Sequence, residues 1–443
     1  MQRRTFLRST AVAALAAVPL TTSLSGSASA ADIPVATLAQ LQSAINSAAP
    51  GDRIVVADGT YTVPSGSAID ITGKNGTAAA QITIVSKTRG GAVLRGERGF
   101  VLSGSSNITL SGFSFRQSTT MEIPANCSAI RLTRNDFQLA DTGDPYWLVV
   151  RADDTKIDRN HFHDKTTAGI FIVVDGSGPT AMAQNLHIFR NHFSDHSFTG
   201  ANGGEPIRLG VSSRALSGAH AVVEYNLFER CDGDPEAISV KSSDNTIRYN
   251  TVRDSRGGIV LRHGNRSVVE SNHLIGGTDG VRIYGNDHRI VNNYLSGLSG
   301  RALVIGSGTT RDHNSGETED ERRGNDACDR AVIVHNSLIG NTGMLSGETR
   351  AYAPQDVTVA DNLLVGDSGS LVAMGATSGF TWQTNLLWGA AANGNIPSGG
   401  FTRADPLLSQ GADGVLRLSP GSPAIGDPTH IGAPVTQGTT GDP

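Results

Sequence analysis

The chain has 443 residues with 53 Gly, 17 Pro and 3 Cys, a hydrophobic fraction of 38% and a formal net charge of −5. This hydrophobic content excludes wholesale disorder, and the Gly residues follow no strict triplet, which excludes a collagen-like chain. The net negative charge argues against a general nucleic-acid-binding protein, and the three widely spaced Cys form neither a disulfide framework nor a zinc motif.

Residues 1–30 have the pattern of an export signal. Arg3 and Arg4 precede an apolar run over residues 11–20, and the Ala-Ser-Ala at 28–30 supplies a small-residue cleavage site. The Arg pair is typical of twin-arginine signals, although an ordinary secretory signal with a chance Arg pair would look similar. The apolar run is too short to span a bilayer, and no later segment is long enough either. We therefore expect a secreted protein without a membrane span.

Residues 37–48 show the periodicity of a short helix. Leu38, Leu41 and Ile45 fall on one helical face, and a Pro-Gly pair ends the pattern. Such a helix would cover the open end of the repeats that follow, where unpaired strand edges would otherwise be exposed. We expect it to act as an N-terminal cap.

A short phrase of alternating apolar and polar residues around an Asn recurs along most of the chain, often at a spacing near 22 residues. Such a repeat is typical of a solenoid whose coils stack on one another. Asn suits a sharp bend because it tolerates left-handed backbone, and stacked Asn side chains could form a ladder. The repeat predicts an all-β, single-domain parallel β-helix over 31–443, whereas a β-sandwich would have strands about 8–12 residues apart without a common phrase. The repeated residues are Asn135, Asn160, Asn191, Asn226, Asn250, Asn272, Asn293, Asn336 and Asn362.

A second strand in each unit carries two apolar residues at positions i and i+2. We expect these pairs to point inward and to stack on successive coils, with the residues between and after them pointing outward. The pairs are Leu148/Val150, Ile170/Ile172, Ile207/Leu209, Ile238/Val240, Ile259/Leu261, Val281/Ile283 and Leu303/Ile305.

Two segments depart from the repeat. Residues 307–330 are polar and charged without periodicity, which predicts a long excursion loop that is either merely solvated or a functional lid. The tail over about 404–443 is rich in Pro and Gly, and we expect it to close the second end of the stack.

The stacking of the second strands places three side chains in one outward row. Lys241, Arg262 and Tyr284 each follow an apolar pair on successive coils, about 4.8 Å apart. Two cations at that spacing repel each other, and the repulsion favours the neutral amine of Lys241, which can act as a base. The alternative is a solvated basic patch on a sheet face.

Oxygen-bearing side chains lie just upstream of Lys241. Asp234 and Glu236 precede it, and Asn202 lies on the preceding coil. Two carboxylates and an amide oxygen form a set of hard ligands that suits Ca²⁺. Strict alternation would place Glu236 and Lys241 on opposite faces, so this grouping requires a bend near 235–237.

The segments NGGEPIRLG (202–210), DPEAISVKSSDNTIRYNT (234–251) and GGIVLRHGN (257–265) resemble polysaccharide lyase family 6, which contains alginate lyases and chondroitinase B-type enzymes. The resemblance extends over most of the chain after residue 30. It implies a right-handed parallel β-helix and β-elimination on uronic-acid polysaccharides. It implies Lys241 as the base and Arg262 as the acid, with calcium ligands Asn202, Asp234 and Glu236. Asp234 departs from the Glu that the family usually has at this position.

These observations lead to the hypothesis of a secreted, calcium-assisted lyase that acts as a monomer on an anionic polysaccharide, with alginate as the expected substrate. A dermatan sulfate lyase of the chondroitinase B type is the alternative within the same class. A non-catalytic β-helix that binds carbohydrate or mediates adhesion is the alternative from another class, and it would need neither Lys241 nor Arg262. Four further residues are candidates for binding neighbouring sugar carboxylates: Arg208, His263, Arg282 and Tyr284.

Overall fold

The computed structural model describes residues 32–143 and 146–425 of the protein. In these ranges most strands belong to three long parallel sheets, and most coils contribute one strand to each sheet in the order sheet 1, sheet 3, sheet 2. This arrangement confirms the predicted all-β parallel β-helix. The predicted export signal over 1–30 lies outside the described residues.

Sheet 1 has 14 strands: Asp32–Val35, Arg53–Val56, Ile82–Ser86, Ile108–Ser111, Arg131–Thr133, Lys156–Asp158, His187–Phe189, Val222–Glu224, Thr246–Arg248, Val268–Glu270, Arg289–Val291, Val332–Val334, Val357–Ala360 and Phe380–Gln383. Sheet 2 has 11 strands: Met121–Ile123, Leu148–Val150, Ile172–Val174, Ile207–Leu209, Glu236–Lys241, Gly258–His263, Val281–Ile283, Arg301–Ile305, Gly343–Gly347, Ser370–Ala373 and Ala392–Gly394. Sheet 3 has 14 strands: Gly59–Val63, Ala92–Gly96, Ser114–Gln117, Asp136–Phe137, His161–Lys165, His192–His196, Leu227–Cys231, Thr251–Arg253, His273–Ile275, Tyr294–Ser296, Ser337–Ile339, Leu363–Val365, Asn385–Trp388 and Phe401–Arg403.

The remaining elements are short. A parallel pair precedes sheet 2, an antiparallel pair follows the last coil, and the helices lie at the N-terminal end and in loops. None of the helices formed by the described residues is long and apolar enough to cross a membrane. These elements are the strands Ile69–Thr72, Phe100–Ser103, Leu408–Gln410 and Leu416–Leu418, the α-helices Leu38–Ser47 and Glu319–Arg322, and the 3-10 turn Ser212–Arg214.

The helix Leu38–Ser47 covers the N-terminal end of the stack, as the sequence predicts. The Thr37 hydroxyl accepts a hydrogen bond from the backbone N–H of Gln40 (3.2 Å) and so satisfies one unpaired donor of the first turn. Leu41 and Ile45 are buried and belong to the same core as the first coils. Their burial closes the apolar interior at this end.

A ladder of buried Asn side chains runs along the corner between sheets 1 and 3. At Asn250, for example, Oδ1 accepts from the backbone N–H and the Nδ2 of Asn226 (3.0 and 2.9 Å), while Nδ2 donates to Asn272 Oδ1 (3.0 Å). The left-handed backbone lies at the residue before each Asn, such as Tyr249 with φ 54°, and not at the Asn itself. The prediction of the ladder is confirmed, whereas the prediction of left-handed Asn residues is wrong, because the bend is made one residue earlier.

Replacing Asn250 with Ala is expected to lower the free energy of unfolding by about 3 kcal/mol. The change removes several buried hydrogen bonds and leaves the Asn226 N–H without its acceptor. The midpoint of thermal unfolding measures the effect. Asn75→Ala, at an exposed Asn outside the ladder and without a left-handed backbone, is the matched control. Equal midpoints for both variants would contradict a structural role of the ladder.

The interior of sheet 2 follows the predicted register in its central coils. Ile238 pairs with Ile259, which pairs with Val281, and all three side chains are fully buried. One assignment is wrong, because Leu148 pairs with Ile172 and not with Ile170. That coil has two residues more than the 22-residue spacing, so Ile170 lies outside the main core in a small cluster with Val149 and Val173.

The tail packs against the side of the stack over its described part. The hairpin of Leu408–Gln410 and Leu416–Leu418 lies on outward side chains of sheet 3, in a cluster that includes Tyr294 and Leu363. The Tyr294 hydroxyl accepts a hydrogen bond from the Leu416 N–H (3.1 Å). Residues 426–443 lie outside the described range, so closure of the C-terminal end by 404–443 stays a prediction.

Candidate active site

A cleft of about 650 Å³ opens on the outer face of sheet 2. Its lining contains all the site residues that the sequence predicts except Arg208 and Asp234. Those lining residues are Asn202, Glu236, Lys241, Arg262, His263, Arg282 and Tyr284.

A bulge in the strand Glu236–Lys241 brings Glu236 and Lys241 to the same face. Glu236 pairs with Gly258 and Ile238 with Ile259, so Ala237 is an extra residue without a partner on the next strand. Ala237 and Ile238 are consecutive and both belong to the core. The bend expected near 235–237 is therefore confirmed, and it places the Glu236 carboxylate in the cleft with Lys241.

A second bulge changes the predicted neighbour of Lys241. Val240 pairs with Leu261 but Lys241 pairs with His263, which leaves Arg262 as the extra residue. The prediction that Lys241 and Arg262 occupy the same position on successive coils is wrong for this reason. Both side chains still line the cleft, and the Arg262 guanidinium lies 5.8 Å from the ring centroid of Tyr284.

Glu205 is a buried carboxylate beside Lys241 that the sequence analysis missed. Its Oε1 lies 3.6 Å from Lys241 Nζ, and its side chain is 1% exposed. It stands two residues before the strand Ile207–Leu209, as Glu236 stands two residues before Ile238. The equivalent positions of Glu205 and Glu236 on neighbouring coils are the sequence feature that could have identified Glu205 as a site residue.

Glu205, Asp234 and Glu236 form a group of buried acids. Burial first, and then the charges of Glu205 and Glu236, raise the pKa of Asp234 to about 7. Asp234 Oδ1 accepts from the Glu236 N–H (3.0 Å), whereas Asp234 Oδ2 and Glu205 Oε2 are buried without a hydrogen-bond partner. Asn202 lies at the exposed rim of the cleft. Buried carboxylates that repel one another and have unsatisfied oxygens fit a bound hard cation.

Glu236 already has two protein partners. Arg282 Nη2 donates to Glu236 Oε1 (2.9 Å), and the Ser239 hydroxyl donates to Oε2 (2.5 Å). These bonds fix the orientation of the carboxylate. They also make Glu205 and Asp234, which have free oxygens, the stronger part of the candidate cation site.

Three guanidinium groups surround the ring of Tyr284 in the cleft. Arg262, Arg282 and Arg350 lie 5.8, 5.9 and 5.4 Å from its centroid. The Tyr284 hydroxyl donates to both carboxylate oxygens of Glu348 (2.8 and 3.0 Å), which holds the ring in place. Arg350 and Glu348 were not predicted from the sequence. Together the three Arg side chains form a surface suited to sugar carboxylates.

His263 is a neutral imidazole next to the two cations of the cleft. Burial, followed by the charges of Arg262 and Lys241, lowers its pKa to about 3. Its Nδ1 is buried without a hydrogen-bond partner. At neutral pH this ring therefore carries no positive charge of its own.

Arg208 lies on the outer face of sheet 2 but outside the cleft. It pairs with Ser239 on the next coil, and its guanidinium contacts the hydroxyl of Tyr146 (3.4 and 3.5 Å). The structure therefore does not bring this predicted substrate-binding residue together with the others.

The excursion over 307–330 forms one wall of the cleft. Glu319, Arg323 and Asn325 contribute to its lining. Arg322 Nη1 donates to the carbonyl of Ser213 (3.2 Å), which joins the excursion to the 3-10 turn Ser212–Arg214 on an earlier coil. Of the two readings of this loop, the geometry favours a functional wall over a merely solvated segment.

A separate group of potential metal ligands lies on the outer face of sheet 3. Ligand atoms of Asp136, His161 and His163 lie within 4.8 Å of one another, so these residues could hold a metal ion. Asp136 also contacts Arg116 and His163 (3.1 Å to His163 Nε2). The sequence analysis did not single out this group, which lies on a different sheet from the cleft.

Comparison with known proteins identifies the family of this chain. The model described as chondroitinase B matches residues 35–369, which is well over half of the sequence. The chain belongs to the chondroitinase B family. No match was found among curated proteins.

Solved structures similar to this chondroitinase B family member include lyases of polysaccharide family 6. A mannuronic acid specific family 6 lyase from human gut microbiota is 25% identical, with a TM-score of 0.73, over 84% of this chain and 91% of that chain. The family 6 alginate lyase AlyGC is 26% identical, with a TM-score of 0.76, over 93% of this chain and 60% of that chain. Pedsa3628 from Pseudopedobacter saltans, 22% identical over 85% of this chain and 94% of that chain, shares the fold with a TM-score of 0.66.

These similarities make the protein a polysaccharide lyase family 6 enzyme. The resemblance noted in the sequence is thereby confirmed. The non-catalytic adhesion protein is set aside as an alternative, and a polysaccharide is the class of substrate.

Proposed function

We propose that this enzyme cleaves alginate by β-elimination, with Lys241 as the base. The observation that carries the proposal is the cleft itself, in which Lys241 lies among four Arg side chains and beside a group of buried acids. The two similar lyases act on mannuronic acid and alginate by their names, which supports the choice of substrate.

Lys241 removes the proton at C5 of a uronate residue. That proton is weakly acidic because it is α to a carboxylate. The electron pair of the broken C–H bond forms the C4–C5 double bond, and the C4–O bond to the neighbouring sugar breaks. The products are an unsaturated uronate at one new end and an alcohol at the other, once the departing oxygen gains a proton.

Arg262 stabilises the negative charge on the departing oxygen. A guanidinium keeps its proton at any accessible pH, so Arg262 acts by its charge more readily than by proton donation. His263 is neutral because of its low pKa, so it supplies no imidazolium proton at neutral pH. Water at the open cleft is the proton source that remains.

Arg282 and Arg350 bind substrate carboxylates, and Glu348 positions Tyr284 between them. Arg350 Nη2 donates to the Tyr284 hydroxyl (3.3 Å), so the ring and the guanidinium form one unit. A carboxylate accepts two parallel N–H bonds from an Arg, which fixes the ring of the sugar relative to Lys241.

Calcium fits the acidic group of the cleft. Glu205, Asp234 and Glu236 would hold the ion, with Asn202 at the rim of the cleft. Glu205 is better placed than Asn202 to be a ligand, because it is buried beside the two other acids. When bound, the ion would neutralise the substrate carboxylate and lower the energy of the charge that develops next to it.

We further propose export through the twin-arginine pathway, which Arg3, Arg4 and the following apolar run support. Action as a monomer stays a prediction. A secreted lyase of this kind would meet its polysaccharide outside the cell.

The test is the ultraviolet absorbance of the unsaturated uronate product. Alginate, mannuronate blocks, guluronate blocks, dermatan sulfate and pectate are compared under the same conditions. We expect new absorbance with alginate. Activity on dermatan sulfate alone would favour the substrate that the family description suggests, and no absorbance with any of the five would refute the proposal.

A further inference from the structure

A column of Arg and Tyr side chains follows the corner between sheets 1 and 3. These residues stand immediately before the ladder Asn of five successive coils. The corner precedes sheet 3 in each coil, so it lies across the coil from sheet 2 and its cleft. The column consists of Arg134, Arg159, Arg190, Tyr225 and Tyr249.

The backbone gives no reason for large side chains at these positions. All five residues have left-handed φ values between 54° and 58°. Asn, Asp and Gly adopt this conformation most readily. The later coils have Ser271, Asn292 and Asp361 at the equivalent positions, and His335 at one of them. Arg on three successive coils followed by Tyr on the next two therefore indicates a binding role rather than a structural one.

Positive charge accumulates around this column. Arg89 reaches across it and donates to the carbonyl of Arg159 (3.3 Å), and the charge of Arg134 adds to burial in lowering the pKa of Arg89. Arg131 and Lys156 are adjacent partners on the neighbouring face of sheet 1. The whole chain, by contrast, has a net charge of −5.

Few carboxylates balance these cations. Asp158 is shared between Arg131 (2.8 Å) and Arg159 (2.8 Å), and Asp136 is engaged with Arg116. Among the described residues no carboxylate oxygen lies within 4.0 Å of the Arg134 or Arg190 guanidinium. Two guanidinium groups at the ends of the Arg series thus remain available to an external anion.

The column has the spacing of an extended ligand. Successive coils lie about 4.8 Å apart, so five positions span about 19 Å. Arg190 lies 5.9 Å from the ring centroid of Tyr225, which stacks on Tyr249 at 5.0 Å. A linear chain with one carboxylate per sugar matches such a row of donors and rings.

We propose that this column, together with Arg89, Arg131 and Lys156, is a second, non-catalytic binding surface for an anionic polysaccharide. This proposal rests on the proposed function only for the uronate nature of the polymer. The surface would hold the enzyme on a long chain while the cleft acts on a segment of the same or a neighbouring chain, which raises the effective substrate concentration.

The surface fits a polysaccharide better than a lipid membrane. Membrane-binding surfaces combine basic residues with exposed apolar side chains. The exposed large apolar residues of the described chain lie elsewhere, at Tyr146, Tyr352, Trp388, Leu407 and Ile425. A single row of Arg and Tyr along one corner suits one extended polyanion.

In the test, Arg134 and Arg190 are both replaced by Asn in one double variant. Asn accepts the left-handed backbone at both positions. Arg289→Asn is the control, because Arg289 is exposed on sheet 1 between Val268 and Val332, away from the column. Binding of polymeric alginate is measured by calorimetry in a Lys241→Gln background, and thermal midpoints confirm that all variants are folded.

We expect the double variant to bind the polymer about 10-fold more weakly, with a smaller dependence on salt, and the control to bind as before. When Lys241 is intact, the double variant should have a lower kcat/KM on the polymer and an unchanged kcat/KM on a mannuronate trisaccharide. Unchanged polymer binding, or an equal loss in the control, would overturn the proposal. So would tighter binding to anionic vesicles or to single-stranded DNA than to alginate. Absence of turnover on the trisaccharide would instead count against the proposed function, so the two failures are distinguishable.

Discussion

Replacing Lys241 with Ala is expected to lower kcat by about 10²- to 10⁴-fold, the range typical of a lost general base. Lys241 Nζ is the amine of the cleft. His263 beside it is too weak a base to replace that amine, because burial and the charges of Arg262 and Lys241 lower its pKa to about 3. KM should change little, because Arg282 and Arg350 still bind the substrate carboxylates. The rate of formation of unsaturated product on alginate measures the effect.

Two further substitutions separate loss of the base from loss of charge. Lys241→Arg keeps the positive charge but supplies a guanidinium that stays protonated, so it should be as inactive as the Ala variant. Lys87→Ala, at an exposed Lys in a turn outside sheet 2, should retain full activity. Substantial activity in Lys241→Arg would show that the charge matters and that the base lies elsewhere.

The repeat made much of the fold predictable from the sequence. In a solenoid each coil contacts only its neighbours, so a spacing in the sequence is also a spacing in space. For that reason the stacking of Ile238, Ile259 and Val281 and the burial of the Asn ladder could be read directly from the residues. A globular fold with distant contacts would not have allowed this.

The same reasoning failed where a coil departs from the regular length. The bulge at Arg262 pairs Lys241 with His263, and no residue pattern distinguishes this extra residue from its neighbours. The longer coil before Ile172 shifted another pair by two residues. An insertion of one or two residues changes which side chains of a strand point inward or shifts its pairing with the next strand. A constant repeat length in the sequence cannot predict such an insertion.

The composition of the site was predictable only in part. Lys241, Arg262 and Tyr284 were found because each follows an apolar pair on successive coils. Glu205 was missed because a single acid before a strand is common on any surface, and its burial becomes evident only in the folded chain. Glu348 and Arg350 were missed because the excursion over 307–330 interrupts the repeat before them.

Removal of calcium with a chelator is expected to lower kcat/KM on alginate by about 100-fold and to lower the thermal midpoint. The reason lies in Glu205, Asp234 and Glu236, which are buried together. Burial, followed by the charges of Glu205 and Glu236, raises the pKa of Asp234 to about 7. Without a cation their charges repel one another in a site with little water. Calcium added at 100 times its dissociation constant should restore activity and stabilise the fold by about 2.7 kcal/mol.

Asp234→Asn gives the sharper form of this prediction. The substitution removes one of the repelling charges, so the metal-free variant should unfold at a higher temperature than the metal-free parent. The same substitution removes a ligand, so calcium should no longer raise its midpoint or its activity. Asp320→Asn, at an exposed acid of the excursion, should behave like the parent in both states.

The opposite signs of these two effects distinguish a cation site from a purely structural cluster. If the acids served only to orient Lys241 and Arg282, the chelator would change neither activity nor midpoint in the parent. Asp234→Asn would then change the activity and the thermal midpoint by the same amount with and without calcium. His163→Ala removes one potential ligand on sheet 3, so an unchanged calcium response in that variant would assign the effect to the cleft. A calcium response lost in His163→Ala and kept in Asp234→Asn would assign the calcium site to sheet 3. Lys241 would then act beside acids whose charges no cation neutralises.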